Sequence, residues 1–159
     1  MSGSDLGDLW EFSPTTKEWK WVIGTSALNQ AAVFGTQGTA STSNTPGGRD
    51  SAVGWTDSSG NLWLFGGYGD GATAWSGGVT WGDMNDLWEF NTTTNEWTWM
   101  SGSSTANQPG VYGTLGVASA TYTPAARDTA VVWTDSSGNF WLFGGQNTGF
   151  FNDLWRYQP

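Results

Sequence analysis

The sequence contains no cysteine and no histidine. Without cysteine there are no disulfides, no thiolate nucleophile and no thiolate metal site, and nothing about redox compartment can be read. Without histidine the commonest general base and metal ligand is gone. Positive charge is scarce: 5 Lys and Arg stand against 14 Asp and Glu, for a net charge of −9. A nucleic-acid partner is therefore not expected, since its affinity comes mostly from cations placed on phosphates. No apolar run approaches the roughly 18 residues of a spanning helix, so membrane insertion is not expected either. The start, Met1-Ser2-Gly3-Ser4, has no basic and no apolar region, and no signal peptide is visible in it. Helical periodicity is also missing, and β-branched and aromatic residues dominate the ordered stretches.

What the sequence does have is glycine, tryptophan and repetition. There are 24 Gly and 13 Trp in 159 residues, a length that suits about one domain. Residues 127–145 read as two short strands about a tight turn, closed by Gly144-Gly145. The same pattern runs through 49–67 and closes on Gly66-Gly67. The two copies lie 78 residues apart, as Arg49 and Arg127 show, and this makes the chain a repeat protein.

A second motif recurs with the first. Asp86-Leu87-Trp88-Glu89-Phe90 alternates as a strand, turns through 91–95, and continues as Glu96-Trp97-Thr98-Trp99-Met100. An earlier copy is Asp8-Leu9-Trp10-Glu11-Phe12 with Glu18-Trp19-Lys20-Trp21-Val22, and a later one begins at Asp153-Leu154-Trp155 without its second strand. The unit is thus four strands: 49–55, 62–65, 87–90 and 97–100. Nine strands are expected in all. Residues 5–22 hold the third and fourth strands of a partial unit, 49–100 a complete unit, and 127–159 a unit lacking its fourth strand. The long connections 23–48 and 101–126 also repeat, which predicts a fixed, packed conformation. Residues 68–84 are expected to form a long variable loop.

Arg at the start of the first strand, Leu62-Trp63-Leu64-Phe65-Gly66-Gly67, Asn85-Asp86-Leu87-Trp88 and Glu96-Trp97-Thr98-Trp99 together resemble the kelch repeat, over nearly the whole chain. The period exceeds the usual kelch length of about 50, and the excess in the loop after the fourth strand resembles long-repeat bacterial kelch proteins. The resemblance implies an all-β fold in which each four-stranded unit is a propeller blade. The whole of 1–159 is then one propeller fragment of about two blades, whereas a closed ring needs at least about four. Self-association as a homo-oligomer is therefore expected. A trimer giving six blades is favoured, and a filament is the alternative. The spare strand 18–22 suits insertion into the incomplete last unit of a neighbour, although the third strand is then supplied twice, by 9–12 and by 154–157. The composition suits a parent protein that is extracellular or at the cell surface.

No catalytic constellation is found, no cofactor is expected, and the chain is expected not to be an enzyme. The copper oxidases that carry kelch-type blades use His and a Tyr–Cys crosslink, so their activity is not implied here. Eleven of the 13 Trp fall at repeated positions, among them Trp88 and Trp155, and are expected to pack blade against blade. Trp75 and Trp81 are not repeated. With Asp70 and Asp83 they are the candidate ligand residues for a protein or glycan, the alternative reading being a carbohydrate-binding module. A calcium site of Asp70, Asp83 and Asp86 follows no spacing rule. Arg49 and Arg127 are expected to make structural ion pairs or backbone contacts rather than line an anion channel. Asp57 and Asp135 are expected to close Asx-type turns. Enzymatic work, if any, would belong to another domain of a larger secreted protein.

Overall fold

The computed structural model describes residues 4–71 and 81–159. Among them are twelve strands and no helix. β1 (Leu9–Ser13) and β2 (Glu18–Ile23) form an antiparallel hairpin. β3 (Arg49–Asp50) lies apart from β4 (Val53–Thr56), which pairs with β5 (Leu62–Phe65). β6 (Tyr68–Asp70) pairs with both β3 and β7 (Trp81–Asp83), making a small three-stranded sheet. β8 (Leu87–Asn91) and β9 (Glu96–Ser101) complete a four-stranded meander in the order β4-β5-β8-β9. β10 (Val131–Thr134), β11 (Phe140–Phe143) and β12 (Leu154–Tyr157) repeat that order, with the fourth place unfilled among the described residues.

Two expectations are corrected. Residues 49–55 are not one strand. Ser51 adopts a φ of 53° and Thr129, its counterpart, 51°, a left-handed conformation that no strand continues through. Arg49 and Asp50 are thereby turned into a different sheet from Val53. Residues 68–84 are not simply a loop either, since Tyr68–Asp70 and Trp81–Asp83 pair with each other across it. The extra pieces β3, β6 and β7 account for twelve strands rather than nine.

The double glycines behave as their chemistry requires. Gly66 and Gly67 have φ of 64° and 88°, and Gly144 and Gly145 66° and 89°. A Cβ on Gly67 would stand 2.6 Å from the Asp50 carbonyl oxygen. The turn therefore needs glycine for both its dihedrals and its close approach.

Strand register sorts the four-stranded sheet into two apolar faces. One face carries Leu62 opposite Phe90, Leu64 opposite Trp88, and Trp97 and Trp99 beyond them. It packs with Ala32 and Phe34 of the long connection and with Leu9, Val22 and Ile23 of the hairpin. The other face carries Trp55, Trp63, Phe65 and Leu87, and packs with Phe140, Leu142, Trp155 and Tyr157 of the third sheet. Trp55 stacks on Phe140 at 5.3 Å between ring centroids. The sheet thus sits between two neighbours, closed over Trp88, Phe90 and Trp97 but open at Gly54 and Thr56 on its first face.

The repeated indole N–H groups have repeated acceptors. Trp63 donates to Asp57 at 3.1 Å and Trp141 to Asp135 at 2.8 Å. The same two aspartates cap their turns by accepting from the backbone N–H of Ser59 and Asn61, and of Ser137 and Asn139. Expectation and structure agree here: both are Asx-type turns.

The packing makes the first testable distinction. Trp88 is fully buried while its counterpart Trp10 is 47% exposed. Trp88→Ala is expected to lower stability by about 3–5 kcal/mol, and Trp10→Ala by under about 1 kcal/mol. Urea midpoints, taken at a dilution where the chain is monomeric, would measure both. Equal losses would contradict the assignment of Trp88 to the core and Trp10 to a free face.

Candidate functional site

Three features compete for a functional role: the buried arginines, the β6–β7 hairpin, and the uncovered ends of the sheet stack. The arginines are structural. Arg49 forms a bidentate pair with Asp86 at 2.8 Å through both Nη atoms, and also donates to the carbonyls of Gly66 and Pro46. Arg127 repeats this with Asp153 at 2.6 and 2.9 Å and with the carbonyls of Gly144 and Ala125. Each aspartate also accepts the indole N–H of the tryptophan two residues on, Trp88 or Trp155, at 2.7 Å. Every Nη atom of the two arginines bonds to a carbonyl or carboxylate of the protein, and the Arg49 Nε, which has no partner, is buried; the guanidinium groups are held by the protein's own acceptors. Asp86 is spent in this pair, so the calcium grouping of Asp70, Asp83 and Asp86 does not form. No cluster of three metal-ligating acids exists among the described residues. In the first copy Asp8 accepts from Trp10 at 2.6 Å but has no arginine.

The β6–β7 hairpin brings three of the four candidate ligand residues together. Asp70 is opposite Trp81, and Asp83 is opposite Tyr68; Trp75 lies outside the described residues. The carboxylates are poorly placed for a ligand, for Asp70 is fully buried and Asp83 is 9% exposed. Trp81 is half-buried and leans on Tyr68 at 6.2 Å. Burial, then the charges of Asp128 and Asp50, push the Asp83 carboxyl up to about 6. Burial followed by Asp5 raises Asp70.

The ends of the stack are where apolar surface is left open. The outward face of the hairpin carries Trp10, Phe12, Trp19 and Trp21, which are 45–66% exposed. The outward face of the last sheet carries Val131, Trp133, Phe143 and Leu154, which are 43–60% exposed. Sequence reasoning assigned these tryptophans to packing between sheets. Among the described residues no further sheet covers these two faces.

Beside the last sheet lies a cleft of about 840 Å³, walled by β12 on one side and by residues 112–120 on the other. Its position has a clear counterpart. In the complete sheet, β9 fills that place, between β8 and residues 36–44. The backbone N–H of Gly38 donates to the Trp99 carbonyl at 2.8 Å and that of Ser41 to the Trp97 carbonyl at 3.3 Å. The second connection keeps the same internal bonds, Val111 to Thr123 and Val117 to Thr114, without a strand to hold. No sequence signal marked the cleft beyond the missing fourth strand.

Burial alone would raise the Asp153 carboxyl. The hydrogen bonds from Arg127, Tyr112 and Trp155 overcome this and hold it far below the ordinary range. Asp83 and Asp153 therefore give opposite pH dependences. Asp83 binds its proton more tightly folded than unfolded, so its contribution is full below about pH 4 and is lost as pH rises through about 6. Asp153 contributes above its unfolded value, and that contribution is lost as pH falls below it. Stability is expected to peak in the mildly acidic range, near about pH 4 to 5. Asp83→Asn is expected to flatten the decline towards pH 7 in urea midpoints collected across pH. A maximum at pH 7 or above, unmoved by Asp83→Asn, would refute this.

Comparison with known proteins gives a likeness of fold. No family model matches the chain, and no curated protein does. Among solved structures, that of YjhT is similar to it with a TM-score of 0.50 and 20% identity, over 89% of this chain and 29% of that one. The chain therefore spans less than a third of that protein's length, and what the two share is the all-β arrangement of antiparallel sheets.

Proposed function

We propose that this chain is a non-enzymatic scaffold whose sheets are kelch-type propeller blades, and that it self-assembles by covering its two bare end faces with further copies. The observation that carries this reading is the pair of end faces. Exposed apolar patches of this kind mark interaction surfaces on soluble proteins. Inside the chain, the face bearing Trp55, Phe65 and Leu87 is covered by the face bearing Trp155 and Tyr157. One bare face, with Trp133, Phe143 and Leu154, is the counterpart of the first kind. The other, with Trp10 and Phe12, is the counterpart of the second. A second copy offers each bare face the type of surface that its counterpart already meets.

Two blades per chain follow if the hairpin and the last sheet share one blade, and three chains then make six. A head-to-tail contact that does not close gives a filament instead. The compositional expectation of an extracellular or cell-surface parent accompanies this reading. So does the possibility of a protein partner on the assembled scaffold. A second reading, a carbohydrate-binding module, is favoured by the Tyr68–Trp81 pair on β6–β7, since a half-buried aromatic suits stacking on a sugar ring.

Light scattering behind size exclusion tests the first reading. The expected result is a discrete species of three times the chain mass, dissociating on dilution with a fall in thermal midpoint, as coupled assembly and folding require. A compact monomer at all concentrations would overturn it. The second reading predicts a tryptophan fluorescence change with soluble glucan or galactan oligosaccharides that Trp81→Ala abolishes while the far-ultraviolet spectrum is kept. No response to either sugar would remove it.

A further inference from the structure

We infer that the cleft beside β12 is the acceptor for β2 of a second copy, with residues 114–121 as its outer wall and β1 of the incoming copy released. This rests on the self-assembly reading and specifies its joint. The complete sheet supplies the geometry. There a fourth strand lies between the third strand and the long connection, bonded on both edges. The last sheet has the third strand and the connection already in place, and a gap where the fourth strand belongs.

The occupant is identified by sequence and by surface. β2 is the counterpart of β9 at the same 78-residue offset, with Glu18-Trp19-Lys20-Trp21 standing for Glu96-Trp97-Thr98-Trp99. In this chain its far edge bonds to nothing among the described strands, and Trp19 and Trp21 are 66% and 48% exposed. Transferring the register of β8 with β9 puts Trp21 opposite Trp155, Trp19 opposite Tyr157 and Lys20 opposite Arg156. The backbone N–H groups of Gly116 and Ser119 then meet the carbonyls of Trp21 and Trp19, as Gly38 and Ser41 meet those of Trp99 and Trp97. One donor is lost, because Tyr122 stands where Asn44 donates its amide to the Trp97 carbonyl. The wall is also more apolar than in the first copy, with the exposed Leu115 and Val117 in place of Gln37 and Thr39.

β1 and β12 compete for the same edge of β2, and their anchors differ. β12 is tied to the chain by the Arg127–Asp153 pair and by the hydroxyl of Tyr112, which donates to Asp153 at 2.6 Å. β1 has no such arginine: its Asp8 holds only an indole, and its ion pair, Lys20 with Glu11 at 3.4 Å, is exposed at both ends. β1 is therefore the strand that yields.

The absence of cysteine makes a clean test. Lys20→Cys and Arg156→Cys are made as separate proteins, mixed and oxidised. Both positions are exposed, and directly opposed strand residues lie within reach of a disulfide. The expected product is a covalent pair containing one of each variant, in yield well above that of either variant alone. Lys20→Glu, which replaces a like-charge pair with Arg156 by an opposite one, is expected to tighten association by roughly 1.5- to 5-fold. Oligomers by light scattering without the mixed disulfide, or weaker association in Lys20→Glu, would overturn the joint while leaving self-assembly standing. A monomer without crosslink would overturn both.

Discussion

A sheet that is apolar on both faces has to be covered on both, and everything else in this molecule answers to that constraint. The middle sheet meets it most nearly, between the hairpin with its long connection on one side and the third sheet on the other. Aromatic side chains dominate the two contacts, and each large ring removes much surface from water. The outer sheets meet the constraint on one face only. Their second faces hold the same residue types, so the chain carries at its ends the surfaces that stabilise its centre.

The polar groups serve the same requirement by fixing where each sheet begins. The Arg49–Asp86 pair is almost wholly buried, at 5% and 0% side-chain exposure. A pair so placed gains little over apolar packing of the same shape, but removing one partner leaves a buried charge that costs about 3–5 kcal/mol. Its effect is therefore chiefly to define geometry. The guanidinium holds the double-glycine turn and the start of the third strand together, and the tryptophan two residues on is oriented by the same carboxylate. The recurrence of this arrangement at Arg127 and Asp153 sets the second interface in register with the first.

Much of this was legible in the residues. Leu62-Trp63-Leu64-Phe65 followed by two glycines, and Leu87-Trp88-Glu89-Phe90 before a Thr-rich turn, announce strands by alternation and turns by composition, and the structure places strands there. The Asx turns at Asp57 and Asp135 were legible for the same local reason. Ser51 was not. Its positive φ accompanies a tertiary contact, a backbone bond from Thr129 to its carbonyl, and no propensity marks serine for it. The depth of Asp70 and Asp83 was equally hidden, since Asp in a glycine-rich stretch reads as solvent-exposed. Asp86 looked available as a ligand because its arginine is 37 residues away in sequence.

The unlikeness of the two sheet faces has a further consequence. Each contact in the stack joins one kind of face to the other, never like to like, so the stack has a direction. Twofold pairing, the commonest symmetry of small oligomers, would set identical faces against each other and is at odds with this packing. In the assembly we propose, growth through these faces is head-to-tail, and its end point depends on the angle between successive sheets. In that proposed assembly a core substitution that changed the angle slightly would leave each contact intact yet redirect growth from a ring to a helix, so the packing of Phe140 between Trp55 and Tyr157 would govern shape at a scale far larger than the chain.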